Sequence, residues 1–348
     1  MLNSVNLAYQ TIDPPQKPKR IAWVDYAKGF GILLVVIGHT LRGLVSNSIL
    51  EPTIFEQTID KWIYAFHMPL FFFISGLFIE RSIAQSFSSF LISKLQTIAY
   101  PYFLWSFLQE MIRSLSNTSS EPTEKIWRII YQPTMQFWFL YVLFGISVMY
   151  AVFRKSSLSV EAFGFACGLL YITYLLKTNF GSWTVLYMLR INAIYFATGA
   201  LTAKFNMLDR LNNFRSADLV RGARAGFLFI LLGVITNLHE IGLLTPLFAF
   251  SGIFSTLSLV TFLQRHNFAD FLKRWGFLSL QIFVAHTIFS AGLRTFLEHF
   301  NHHASPLMHI VLGTWIGIYG PIGLYMICQK FKFPYLFTWR PIHTAGHS

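Results

Sequence analysis

Apolar stretches of membrane-spanning length run along nearly the whole chain and are separated by short polar segments. A helix needs about 17–25 mostly apolar residues to cross the hydrocarbon of a bilayer. Backbone groups inside lipid must bond within their own segment, so these stretches are predicted to be helices rather than strands. Ten stretches approach the required length, with the seventh the shortest: Ala27–Leu44, Trp62–Ile79, Leu95–Ile112, Met135–Phe153, Val160–Leu176, Trp183–Ala203, Ala225–Leu238, Leu243–Leu263, Trp275–Phe296 and Leu307–Phe331.

The composition agrees with a single membrane domain. Hydrophobic residues make up 54% of the 348 positions, and charged residues only 12%, about half the share found in soluble domains. The sequence therefore predicts an all-α, polytopic integral membrane protein with about ten transmembrane helices. We expect a cytoplasmic tail over residues 1–20, a membrane-embedded domain over 21–332 and a second cytoplasmic tail over 333–348.

The basic residues indicate how the helices are oriented. In the predicted tails, loops and span ends, 19 Lys and Arg side chains fall on one side and six on the other. Cytoplasmic loops carry the excess of Lys and Arg, so both termini are predicted to be cytoplasmic. The net charge of +12 then reflects orientation, and no nucleic-acid partner is expected, because no basic helix carries interleaved stacking aromatics. The clusters on the basic side lie at 17–28, 81–94, 154–155, 204–224, 265–274 and 330–340.

The candidate ionisable residues Asp25, Lys28 and His39 lie in the first predicted span or just before it. An ionisable side chain inside a membrane is costly unless it faces a cavity or a partner. Eleven residues of helix place Lys28 and His39 on one face, about 16 Å apart along the axis. Asp25 and Lys28 would equally serve as an ion pair that fixes the helix end, and His39 as a neutral packed histidine.

The second predicted span carries His67 two residues before Pro69. On an antiparallel neighbour, His67 would lie at the same depth as His39. Proline donates no backbone hydrogen bond, so a kink is expected near Ala65, and His67 would alternatively be a structural residue at that kink.

Three further residues are candidates for contact with a substrate, namely Arg190, His286 and Trp138. Arg190 stays charged in the membrane and must find an anion or carbonyl groups. Glu110 is its alternative, structural partner. Trp138 lies near a predicted membrane interface, where tryptophan is common simply as an anchor.

Histidine is the leading chemical group, because the sequence contains no serine nucleophile elbow, Walker loop or His-Glu-x-x-His motif. A histidine near its ordinary pKa takes a proton from a hydroxyl and returns it to a leaving group. No tetrahedral set of metal ligands is readable, so no metal is expected.

At these residues the sequence resembles acyltransferase family three, integral-membrane enzymes that often acetylate bacterial surface carbohydrates, and most of all its fucose 4-O-acetylase group. The resemblance covers essentially the whole chain, although the family's frequent Arg-x-x-Arg reads here as Lys94-Leu95-Gln96-Thr97. The matching features are the spacing of Lys28 and His39, the segment Phe66–Gly76, Pro101-Tyr102 and Trp138-Phe139-Leu140.

This resemblance implies transfer of acetyl from acetyl-CoA to a hydroxyl of a cell-surface or lipid-linked carbohydrate, at the inner membrane. His39 would be the catalytic base or acyl relay, and the remaining candidates divide by role. His67 is expected to assist catalysis, Lys28, Asp25 and Lys94 to contact the donor, and Trp138, Arg190 and His286 to contact the acceptor. A secondary transporter or flippase for a carbohydrate or lipid is the alternative function, and a membrane scaffold is a weaker one.

Overall fold

The computed structural model describes residues 21–84, 86–115, 126–300 and 304–339, and all regular structure among them is helical. Short 3₁₀ segments connect several of the helices, and Leu95–Ala99 is a π-helical turn. The α-helices are α1 Ala22–Ser46, α2 Ile54–Tyr64, α3 His67–Leu77, α4 Ile79–Ile83, α5 Phe87–Lys94, α6 Tyr100–Leu115, α7 Trp138–Lys155, α8 Val160–Leu175, α9 Thr184–Lys204, α10 Ser216–Ile235, α11 Thr245–Arg265, α12 Asp270–Phe277, α13 Ser279–Phe300 and α14 Pro306–Lys330.

Within the described residues, six helical segments are long and apolar enough to cross a membrane. The prediction of an all-α polytopic membrane protein is confirmed, while the count of ten spans stays a prediction. Several of the other predicted spans are broken or short in the structure. The six segments are Ala22–Ser46, Trp127–Lys155, Thr184–Lys204, Thr245–Arg265, Ser279–Phe300 and Pro306–Lys330.

The second predicted span is broken where the proline indicated. Helix α2 ends at Tyr64, and α3 begins at His67. Pro69 has no backbone N–H for the carbonyl of Ala65, which removes one hydrogen bond from a continuous helix. The expected kink near Ala65 is therefore confirmed, and it separates Tyr64 from His67 in the backbone while their rings remain in contact.

Two other spans differ from the prediction. The stretch Trp275–Phe296 is not one helix, because the chain breaks at Leu278 between α12 and α13. The helix of the seventh predicted span begins at Ser216 rather than Ala225. Its first turns contain charged residues, including the ion pair of Asp218 and Arg221. A prediction based on apolar residues alone therefore places the start of this helix too late.

Helix α1 is central in the bundle and contacts α2, α3, α11, α12, α13 and α14. Its contact with α12 is very close: a Cβ atom on Gly276 would overlap the backbone carbonyl of Asp25, and one on Gly29 would overlap that of Leu272. Small residues permit such approaches between membrane helices, where packing rather than water drives association. This crossing fixes the Asp25 end of α1, and with it the direction in which His39 projects.

Candidate active site

His39 lies on the wall of a cavity of about 880 Å³, which we call the His39 cavity. It opens at the end of the bundle where α1 finishes at Ser46, and α1, α6 and α13 supply most of its wall. A volume of this size is typical of sites for small molecules. Polar side chains that line it include His39, Thr40, Arg42, Gln109, Arg113, Thr287, Arg294 and His309.

A second histidine lies directly behind His39. The ring centroids of His39 and His286 are 5.2 Å apart, and His286 is fully buried and absent from the cavity wall. Its Nδ1 lies 2.8 Å from the carbonyl oxygen of Phe283 and 3.1 Å from that of Ile282. A carbonyl only accepts, so Nδ1 carries the proton and Nε2 presents a lone pair. That Nε2 is buried and has no hydrogen-bond partner among the described residues.

On its other side, His39 contacts a tyrosine. The ring of Tyr64 lies 6.3 Å from that of His39 and 4.5 Å from that of His67, both in edge-on geometry. His67 is 1% exposed, and its Nδ1 donates to the carbonyl of Ile63 at 2.8 Å. The structure therefore brings His67 near His39, through a Tyr64 ring that contacts both. His67 itself does not line the cavity.

Arg42 continues this cluster toward the mouth of the cavity. Its guanidinium lies 3.2 Å from the centroid of the Tyr64 ring and donates two hydrogen bonds to Asp60, at 2.7 and 2.8 Å. Two parallel hydrogen bonds between a guanidinium and a carboxylate hold both side chains in one geometry. It anchors α2 against α1 and keeps Tyr64 beside His39.

A chain of amide and hydroxyl groups joins α6 to α13. Gln136 donates 2.9 Å hydrogen bonds to Gln109 and Thr287, and the latter two line the cavity. The Oε1 atom of Gln136 is buried, and no described residue forms a hydrogen bond with it. Such groups are suited to hydroxyl-rich ligands, because amides both donate and accept.

The three residues expected to contact the donor lie elsewhere. Lys28 and Asp25 are toward the opposite end of α1, and Lys94 donates to Ser82 at 3.5 Å. None of the three lines the His39 cavity or a second cavity of about 640 Å³ near Arg81, Arg154 and Lys204. Their contact with a donor stays a prediction.

Arg190 and Trp138 are likewise outside the His39 cavity. Arg190 donates to the backbone carbonyls and hydroxyls of Thr173 and Thr178, which ties α9 to the end of α8. The alternative prediction, that Glu110 is the partner of Arg190, is wrong, because Glu110 pairs with Arg113 at 3.1 Å. The carbonyls and hydroxyls around Arg190 satisfy its donors locally. Trp138 packs against Phe72 and Phe139.

Sequence reasoning did not single out Arg42, Gln109 or Arg294, although all three line the cavity beside His39. For Arg42 and Arg294 a signal was available, since each is an arginine inside a predicted span. Nothing in the sequence marked Gln109, because its role depends on which helix lies opposite. Over the described ranges, no three His, Cys, Asp or Glu side chains are grouped as metal ligands.

The fold is that of a multi-pass membrane protein. A family model described as an acyltransferase domain matches residues 21–326, so the chain belongs to that acyltransferase family. The nodulation protein NolL of Mesorhizobium japonicum is similar, at 29% identity over 166 residues. That match covers 45% of this chain and 44% of the relative, so the chain spans less than half of the relative's length. No solved structure matches the chain.

Proposed function

We propose that this acyltransferase moves acetyl from acetyl-CoA to a hydroxyl of a cell-surface or lipid-linked carbohydrate, with His39 as the reacting histidine. The observation that carries the proposal is the position of His39, half-buried on the wall of a large cavity and backed by a buried histidine. Gln109 and Thr287, which line the same cavity, suit a polyhydroxylated acceptor.

In this reaction His39 takes the proton of the acceptor hydroxyl as the oxygen attacks the thioester carbonyl. The C–S bond then breaks, and His39 returns the proton to the departing CoA sulfur, which leaves the acetyl ester and free CoA. Proton transfer of this kind is the usual work of histidine near neutral pH. An acetyl-histidine relay reaches the same products in two steps, through attack of a ring nitrogen on the thioester.

His286 supports this chemistry through His39 rather than through the substrate. Its ring lies 5.2 Å from the His39 ring, its Nδ1–H is fixed on two carbonyls, and its buried Nε2 has no hydrogen-bond partner among the described residues. With the Nε2 lone pair directed at His39, this imidazole would stabilise the positive charge that His39 gains with the proton. We therefore assign His286 to positioning and charge stabilisation, a revision of its expected contact with the acceptor.

The two substrates would approach from opposite ends of α1. The donor would enter at the Lys28 end, where the charge distribution predicts the cytoplasm, and the acceptor would enter the His39 cavity. The separation of about 16 Å along the helix is comparable to an extended pantetheine arm. Lys28 would hold donor phosphate by charge attraction, with Asp25 and Lys94 nearby in depth.

The experiment is an assay of thioester consumption by the purified chain in lipid nanodiscs. Release of free CoA from acetyl-CoA, together with an acetyl ester on an added oligosaccharide, is the expected result. A protein that moves labelled carbohydrate across a vesicle membrane without consuming acetyl-CoA would be a transporter, and the proposal would be wrong. Mass spectrometry of surface glycans from cells with and without the gene would identify the natural acceptor.

A further inference from the structure

The mouth of the His39 cavity is rich in arginine. Three arginines line it, Arg42, Arg113 and Arg294, and no Asp or Glu is among the lining residues. Asp60 neutralises Arg42 through two hydrogen bonds, and Glu110 pairs with Arg113. Arg294 differs from both: no hydrogen bond or ion pair joins it to any residue that the structure describes.

Arg294 is also placed directly above the reacting histidine. A Cβ atom on Gly43 would lie 2.8 Å from its Nη1, so the guanidinium rests on the bare backbone at that position. Gly43 is four residues after His39 on α1, which is one helical turn and about 6 Å along the axis on the same face. A group bound by Arg294 would therefore lie about one turn outward from the His39 ring.

Buried polar atoms without partners surround the same part of the cavity. The Nε of Arg294, the Oγ1 of Thr40 and the Nδ1 of His309 are all buried and make no hydrogen bond within the described residues. Thr40 is 7% exposed and His309 is 4% exposed. Leaving buried donors unsatisfied is costly, most of all for a charged one. Because all three residues line the cavity, these atoms without partners indicate that a ligand with several oxygen atoms binds there.

We propose that the acceptor held in the His39 cavity is an anionic carbohydrate, whose phosphate or carboxylate group binds Arg294. This inference rests on the proposed function of the same site and specifies the class of its acceptor. Guanidinium groups bind phosphate and carboxylate oxygens through paired hydrogen bonds, and they do so best where water is partly excluded. Glu298, one turn from Arg294, lowers the positive potential there but does not pair with it.

The test is ligand-observed NMR titration of the full chain in nanodiscs with glucose 1-phosphate, glucuronate and methyl glucoside. The two anionic sugars are expected to bind more tightly than the neutral one. Arg294→Gln should weaken their binding about 10- to 100-fold, the loss expected for charge-assisted hydrogen bonds. Arg294→Lys should retain part of it. Arg128→Gln is the matched control, because Arg128 is exposed and outside the cavity wall.

Glu298→Gln is expected to change the affinity for anionic sugars in the opposite direction to Arg294→Gln. Removing that nearby negative charge should tighten binding of glucose 1-phosphate and leave methyl glucoside unchanged. This variant keeps the test decisive if Arg294→Gln folds poorly. No preference for either anionic sugar over methyl glucoside in the wild-type chain would overturn the proposal.

Arg294 could instead bind a phosphate of the donor acetyl-CoA. A separate titration with acetyl-CoA distinguishes this donor phosphate from the anionic group of the acceptor. Acetyl-CoA affinity should be the same in wild type and Arg294→Gln. A loss confined to acetyl-CoA would assign Arg294 to the donor and overturn the proposal. Binding of anionic sugars without any acetyl transfer would instead contradict the proposed reaction, so the two failures are distinguishable.

Discussion

His39 combines two properties that no other described histidine shares. It faces the large cavity, and it has a second imidazole, that of His286, 5.2 Å behind it. His309 also lines the cavity but has no ring contact with another histidine among the described residues. The chemistry proposed for this protein therefore depends on His39 more than on any other single side chain.

We expect His39→Ala to lower the rate of acetyl transfer by about 100- to 10,000-fold, because general acid–base catalysis contributes on that scale. The protein should still insert and purify normally. His266→Ala is the matched control, since His266 is exposed at the far end of α11. Near-wild-type turnover in His39→Ala would show that His39 is a packing residue.

Lys28 is expected to act on the donor rather than on the chemical step. Lys28→Ala should raise the acetyl-CoA concentration needed for half-maximal rate, and Lys28→Arg should retain much of the activity as a replacement charge. His39→Ala should leave acetyl-CoA binding nearly intact, because its interaction develops in the transition state. Calorimetric titration of acetyl-CoA into the purified variants measures both affinities.

The competing role for Lys28 is to fix the end of α1 beside Asp25. In that case Lys28→Ala and Asp25→Ala would both reduce the yield of folded protein. Unaltered donor affinity in the surviving Lys28→Ala protein would rule out a phosphate contact.

At the scale of helices, the close crossing of α1 and α12 positions the catalytic helix. Gly276 lies against the carbonyl of Asp25, and Gly29 lies against that of Leu272, so the two backbones touch at Cβ-free positions. A methyl group cannot be accommodated there by rotating a side chain, because the obstacle is backbone. The helices must separate instead.

Gly276→Ala is therefore expected to destabilise the protein, by at least the ~1–3 kcal/mol typical of overpacked cores. Thermal unfolding of the purified protein, followed by size-exclusion chromatography, measures the effect. Gly168→Ala is the matched control, since no atom lies within 4 Å of a Cβ at that position of α8. Alanine also favours helix by about 1 kcal/mol over glycine. Equal melting temperatures for the two variants would contradict the importance of the crossing.

Over the whole molecule, the predicted orientation places the mouth of the His39 cavity on the non-cytoplasmic side. The charge distribution carries this prediction, because 19 of the basic residues in the predicted tails, loops and span ends fall on the side of the N-terminus. Ser48, just beyond α1, would then face outward, and Ser156, at the end of α7, would face the cytoplasm. Both positions are exposed.

An impermeant thiol reagent applied to intact cells tests this orientation. In a background without Cys167 and Cys328, which are both buried, Ser48→Cys should react and Ser156→Cys should be protected. Permeabilised cells are the control, in which both should react. Labelling of Ser156→Cys alone in intact cells would reverse the orientation. The same experiment at Ser119, which lies outside the described residues, would examine the loop after α6.

The sequence by itself determined the kind of protein and predicted which of its polar groups share a helix face. Apolar length sets where helices cross lipid, and helical period places Lys28 and His39 on one face, because both properties are local to a segment. The position of Pro69 likewise located the break before His67, since a missing backbone donor acts within one turn.

Tertiary structure alone decided which polar groups meet. His286 and Arg294 lie more than 240 residues from His39 in the chain, yet one contacts the His39 ring and the other rests one turn above it. Arg190 is as polar as Arg294, but it finds four acceptors on Thr173 and Thr178, whereas Arg294 finds none among the described residues. The sequence shows only that an arginine lies in a predicted span. Neighbouring helices decide whether its guanidinium finds hydrogen-bond acceptors in the protein or remains available to a ligand, and the packing of those helices is a property of the folded chain.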